Sequence, residues 1–276
     1  MKEWIRRHPL SSYFLVAYAV SWSIAVPLAL QAQGVITTRL PLALHYLTAF
    51  GPAAAAIAIG RLLRPPARPD GRSRSQLFGR SFGWWTVGLV SPLFLFVLAR
   101  MAAALLGQPV PTWRSLGHVS FLPDLGLAAW GLWFLTSGCG EEAGWRGFAL
   151  EPLQRRCGPV VGTLILAALW AGWHTPAFFV VETYRTMTVP MIIGGFGLGI
   201  CAGSIVLSRI AQRTDGSVLA AALWHALYNM TSATAASRGV IVAVTTTCVM
   251  LWATVLLIGE ARRRTRPSGL LVGRAQ

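Results

Sequence analysis

Three clusters of polar residues interrupt the apolar stretches of this sequence, and their types and spacing could support chemistry. The first is Gly140-Glu141-Glu142-Ala143-Gly144-Trp145-Arg146. On a helix Glu142 and Arg146 stand four residues apart with the acid on the N-terminal side, the favourable order for an ion pair. Glu141 is then rotated about 100° away. It has no partner in the local sequence, and a carboxylate free of a neighbouring cation suits a general base. The second cluster is Leu169-Trp170-Ala171-Gly172-Trp173-His174-Thr175-Pro176. Here Ala171 and Gly172 permit close helix approach, and Thr175-Pro176 disturbs the local backbone bonding enough to admit water. The third is Leu223-Trp224-His225-Ala226-Leu227-Tyr228-Asn229. His225 and Asn229 project from one helical face, and two such donors on an apolar helix could hold a developing oxyanion.

Each cluster also has a plainer reading. The two acids could lie solvated at an interface, His174 could be a hydrogen-bonded core residue, and His225 with Asn229 could serve as interhelical glue. Ionisable groups at membrane depth are costly unless paired or functional, which makes each one a site hypothesis. Taken together they compose a hydrolytic set: Glu141 with His174 to activate water for attack on a carbonyl, and His225 with Asn229 to stabilise the oxyanion.

The elements that must position these residues follow from hydropathy. Of 276 residues 54% are hydrophobic and 12% charged, against about 25% charged in an ordinary soluble domain. The apolar runs are long and unbroken, unlike the roughly ten-residue alternating segments of a membrane barrel. The expected fold class is therefore all-α, a polytopic membrane protein of about eight transmembrane helices forming one domain over 1–276. The spans fall near 10–31, 40–60, 84–106, 124–150, 159–181, 188–210, 217–234 and 238–258, the fourth and seventh being the least lipid-like. The first follows Lys2, Arg6 and Arg7 and reads as a retained anchor, because its apolar core exceeds the roughly 7–15 residues of a signal peptide. The three clusters all lie within 124–234.

A net charge of +15 raises the question of nucleic acid, but its distribution argues against such a partner. With the N-terminus inside, 18 of the 24 basic residues fall in inner segments, and Arg39, Arg114, Arg185 and Arg238 fall on the opposite side. That asymmetry is the positive-inside pattern and places both termini in the cytoplasm, in a multi-pass protein of the cell membrane. Residues 61–80, rich in Pro, Arg, Ser and Gly, read as a basic cytoplasmic loop lying against anionic headgroups. The four cysteines form no C-x-x-C pair and indicate neither a disulfide framework nor a cysteine metal site. No strong internal repeat supports an inverted-repeat transporter.

The order E-E-x-x-x-R at Glu141 to Arg146, aromatic-x-x-x-H at Trp170 to His174, and H-x-x-x-N at His225 to Asn229 resembles the CPBP family. These are CAAX-processing and bacteriocin-processing intramembrane proteases, also called Abi proteins. Phe50-Gly51-Pro52 looks like another recurrent feature of that family, and residues before 124 otherwise carry little of its signal. The resemblance implies that Glu141 is the catalytic acid that activates water, His174 its partner, and His225 and Asn229 the oxyanion binders. Glu142 and Arg146 then form a supporting ion pair. Trp170 departs from the more common phenylalanine but keeps an aromatic ring.

By the same resemblance the substrate is a membrane-embedded or lipidated peptide or protein, cut near the cytoplasmic leaflet in CAAX-type or bacteriocin- and leader-type processing. The family is often labelled as metalloproteases, and Glu141, His174 and His225 could supply an open zinc site. There is no H-E-x-x-H pair, and a carboxylate does not readily serve as both tight ligand and free base. The favoured expectation is a glutamate-activated water without obligatory metal. Two rivals remain: a transporter whose acids and histidines relay ions, and a non-catalytic immunity or scaffold protein.

Overall fold

A computed structural model describes residues 2–63 and 81–265. Of the basic segment expected over 61–80, residues 61–63 continue a helix and residues 64–80 lie outside the described residues. No strand occurs among the described residues. Among the described residues, six helices are long and apolar enough to cross a membrane. They are α1 (Pro9–Ala32), α2 (Leu42–Leu63), α3 (Phe82–Leu105), and Pro159–Val180, Met191–Arg213 and Val240–Arg262.

The expected eight spans are thus corrected to six, because two segments differ in kind from the rest. The fourth, α4, is a helical run over 128–157 that contains Glu141, Glu142 and Arg146 and so fails as an apolar span. Next come α5 (Pro159–Trp173), α6 (Met191–Arg213), the seventh segment α7 (Val218–Ser232) and α8 (Val240–Thr265). At 15 residues α7 is about 22 Å long, short of the ~30 Å hydrocarbon core. What surrounds α4 and α7 is protein: Trp145 on α4 and Trp224 on α7 are among the largest fully buried side chains.

The long helices show the opposite distribution. Only 22% of the apolar window of α8 is covered by protein, and even in Pro159–Val180 the share is 44%. Leu93, Phe94, Val97 and Met101 on α3, with Leu251 and Val255 on α8, are large, apolar and exposed. An apolar rim of this extent on helices of spanning length is what lipid solvates, and the chain is an integral membrane protein. Inside the rim, α4 packs its 134–141 stretch against α7, α7 packs against α3, and α6 packs against both α5 and α8. Val206, Leu207 and Ile210 of α6 join Tyr13, Trp145, Trp170, Trp173 and Trp224 in the main core.

Two local devices set α4. After Cys157 the chain reverses at Gly158, whose φ of +81° favours glycine, and Pro159 opens α5 at a position where a missing N–H costs nothing. Second, Phe134–Glu141 and Trp145–Ala149 are π-helical turns. Such wide turns occur mostly as short bulges at functional sites, and they bracket Glu142–Gly144.

Candidate active site

Glu141 and Glu142 are both buried, on a stretch of α4 enclosed by α2, α5 and α7. Two glycines let this happen. A Cβ on Gly140 would sit 2.6 Å from the backbone oxygen of Ala49, and one on Gly144 would collide with the Tyr13 hydroxyl and the Pro52 backbone. The small residues one turn apart bring α2 hard against the acid-bearing turn. Gly51 does the same between α1 and α2, since its Cβ would meet Ser21 and the Ala17 carbonyl. That gives the Phe50-Gly51-Pro52 feature a packing role.

Glu142 forms the expected pair with Arg146: Nη1 donates to Oε1 over 2.9 Å, with both side chains fully enclosed. Arg146 Nη2 also donates to Ser204 Oγ at 3.2 Å, and its guanidinium lies 4.7 Å from the Trp170 ring centre. The same Glu142 oxygen takes a second donor, His225 Nδ1, at 2.8 Å. A carboxylate oxygen can only accept, so Nδ1 of His225 carries a proton and Nε2 is the atom left for a substrate.

Glu141 does have a partner, and it comes from the second motif. Trp170 Nε1 donates to Glu141 Oε2 at 2.7 Å. The Trp170 ring also stands edge-on to His225, with ring centres 5.3 Å apart. His174 Nδ1 lies 2.8 Å from the Trp170 carbonyl. That oxygen too is acceptor-only, so Nδ1 donates and Nε2 presents a lone pair. One residue therefore anchors an acid, faces one imidazole and fixes the tautomer of the other, a role that sequence reading reduced to ring shape. The missed signal was the indole N–H, a donor that phenylalanine lacks.

His225 lies within coulombic reach of both Glu141 and His174. Asn229 Nδ2 donates to Ser137 Oγ at 2.8 Å, which leaves its second N–H uncommitted in that bond. Aromatic rings cover His174: Trp173 and Phe196 sit edge-on at 4.8 and 5.4 Å, and Phe178 packs on Phe196 at 4.9 Å. A cavity of about 20 Å³ is lined by His174, His45, Ser21, Trp22 and Thr48, and not by Glu141, His225 or Asn229. A larger one of about 160 Å³ lies elsewhere, beside the Arg209–Glu260 pair between α5, α6 and α8.

The zinc set Glu141, His174 and His225 does not fit this arrangement. Among the described residues no three His, Cys, Asp or Glu side chains converge on a point that could hold a metal ion.

With this geometry in view, residues 123–231 match the family model described as type II CAAX prenyl endopeptidase Rce1-like. The matched stretch holds all three clusters. Over this segment the chain is similar to that family, in line with the CPBP resemblance of its motifs. A CAAX prenyl protease 2 of Methanococcus maripaludis is 29% identical over 93 residues, which is 33% of this chain and 34% of that protein. The chain thus spans about a third of the length of the curated relative it matches. The matched segment coincides with α4, α5, α6 and α7, the helices that join the acid pair, Arg146, Trp170, Ser204 and His225 by hydrogen bonds.

Proposed function

We propose that this protein is an intramembrane endopeptidase that hydrolyses a peptide bond near the cytoplasmic leaflet of the cell membrane, with a prenylated CAAX-type C-terminus as substrate. The observation that carries the proposal is the buried chain of contacts from Glu141 through Trp170 to His174, and from Glu142 to His225 and Arg146, inside the CPBP-like segment. A structural ion pair alone needs neither histidine. Two imidazoles with fixed tautomers and a second carboxylate held by an uncharged partner are the groups that water activation uses.

In this mechanism Glu141 is the general base and His174 Nε2 accepts a hydrogen bond from the attacking water. As the water oxygen bonds to the scissile carbonyl carbon, its proton passes to Glu141. The carbonyl oxygen takes the negative charge, stabilised by Asn229 and by the imidazole of His225, whose ring Glu142 holds in place. Collapse of the adduct breaks the C–N bond, and Glu141 returns the proton to the leaving amine. No step is assigned to a metal. Arg146 pairs with Glu142 and orients it without touching substrate.

The test is cleavage of prenylated C-terminal peptides, and of leader-bearing peptides for comparison, by the purified chain and its Glu141→Gln variant, each with and without a chelator. Wild type should cleave the prenylated peptide, and Glu141→Gln should lose about 100-fold or more of that rate while remaining folded. His174→Ala and His225→Ala should lose as much, and Asn229→Ala somewhat less. Full turnover by Glu141→Gln would remove the assignment, and loss of turnover on chelation would remove the metal-free mechanism.

A further inference from the structure

Hydrolysis consumes a water at every turnover, and an apolar bundle must hold that water somewhere. Three of the five histidines lie within apolar helices, and His45 is the one that the three motifs leave out. It sits in the 3₁₀ opening of α2, Leu42–Phe50. Its Nδ1 is buried and has no hydrogen-bond partner among the described residues. Such a group at membrane depth is costly unless something polar meets it.

The cavity that His45 shares with His174 supplies the setting. Its volume of about 20 Å³ holds about one water, which needs on the order of 10–15 Å³. Trp22, Trp173, Pro176 and Ala177 wall it off, and Ser21, Thr48 and the two imidazoles are its polar lining. The hydroxyl hydrogens are committed: Ser21 Oγ donates to the Thr48 carbonyl at 2.7 Å and Thr48 Oγ1 to the His45 carbonyl at 2.6 Å. Both oxygens are therefore left as acceptors. His174 Nε2 is also an acceptor, because Nδ1 donates to Trp170. A water there can donate to His174 Nε2 and to a hydroxyl oxygen and accept from a protonated His45 Nδ1, and three bonds are what a buried water typically makes.

We propose that His45 is a positioning residue that holds, against His174, a resting water from which hydrolysis is supplied. The inference rests on the peptidase reading above and adds to it the side chain that pins the water oxygen. His45 does not touch substrate. It acts through the water, which it keeps bonded to His174 Nε2 until the water moves along that imidazole to Glu141, outside the cavity, for activation.

The test compares the full chain in nanodiscs with His45→Phe, which fills the cavity with an apolar ring, and with His45→Asn, which keeps a polar group near the same point. Two readouts are taken: structures fine enough to show ordered water, and steady-state cleavage of a fluorogenic prenylated peptide. The wild type and His45→Asn should show a water bonded to residue 45 and to His174, and His45→Phe should show none. His45→Phe should lower kcat about tenfold with KM within about twofold, and His45→Asn should regain at least about half of the loss. A change in KM alone, an unaltered kcat in His45→Phe, or a dry wild-type cavity would overturn the proposal. If the wild type cleaves no peptide, the peptidase reading falls while the water structures still decide the role of His45. Should His45→Phe fail to fold, His45→Leu removes both nitrogens at smaller volume and carries the same expectations.

Discussion

A single oxygen, Glu142 Oε1, receives both Arg146 Nη1 and His225 Nδ1, so the three groups respond to substitution as a unit. Removing one member of a fully buried pair strands the other, and the usual cost is about 3–5 kcal/mol. Arg146→Ala should fall in that range, since Ser204 and the Trp170 ring lose their partner as well. The Glu142→Ala/Arg146→Ala double variant should be less destabilised than the sum of its single variants, as expected of groups in one network. Denaturant unfolding in detergent would measure this, and strict additivity would show that the pair is not coupled. The double variant should still lose peptide cleavage, because His225 no longer has the carboxylate that holds its ring. The pair itself was legible from the four-residue spacing of Glu142 and Arg146. Its third member was not, because no sequence spacing relates residue 142 to residue 225. The Trp170 indole bond to Glu141, which joins residues 29 positions apart, was illegible for the same reason.

Between α2 and α4 the decisive feature is backbone proximity. Gly140→Ala would place a methyl 2.6 Å from the Ala49 carbonyl oxygen, an atom fixed by the chain, so the two elements must part. Overpacking of this kind costs about 1–3 kcal/mol. The acid turn would shift with it, and misplacement by about an ångström can cost on the order of 100-fold in rate. Gly131 offers the control, since a Cβ there meets nothing within 4 Å and alanine is favoured over glycine in a helix by about 0.5–1 kcal/mol. Gly140→Ala should therefore lower both the melting temperature and the cleavage rate. Gly131→Ala should leave the rate intact and hold or raise the melting temperature. Equal behaviour of the two variants would mean that close approach at Gly140 does not position the site. The sequence displayed Gly140 and Gly144 beside the acids, but their significance depends on which backbone comes near. The π-helical turns were equally hidden: a hydropathy pattern does not distinguish a widened turn from an α-helical one, and the rotation between Glu141 and Glu142 was reasoned from ideal α geometry.

At the scale of the whole molecule, hydropathy separated lipid-facing from protein-facing helices only in part. It located the eight long helical segments, yet it could not tell that α4 and α7 are enclosed by protein, because a helix lined with Ala, Gly and Trp is apolar whichever solvent it meets. The orientation of the bundle is a separate matter that charge addresses. Arg155 and Arg156 close α4 at the turn before Gly158, on the same side as the basic N-terminal segment if each successive helix reverses direction, and the positive-inside pattern leads us to propose that this side is the cytoplasmic one. Cys157 reports on this directly. It is exposed, whereas Cys139, Cys201 and Cys248 are partly covered by the bundle and sit in or beside apolar helices. A membrane-impermeant maleimide should label Cys157 in inside-out vesicles and not in intact cells, with Cys157→Ser abolishing most of the signal. Labelling from the outside would invert the topology. Glu141 lies toward the middle of α4, some 16 residues before Cys157, which on a helix is about 24 Å along the axis. A substrate whose lipidated tail enters from the cytoplasmic leaflet would therefore have to extend into the bundle to reach the acid. Inverted labelling would place that entry on the wrong side and would rule out a cytoplasmic prenylated substrate even if the catalytic groups proved sound.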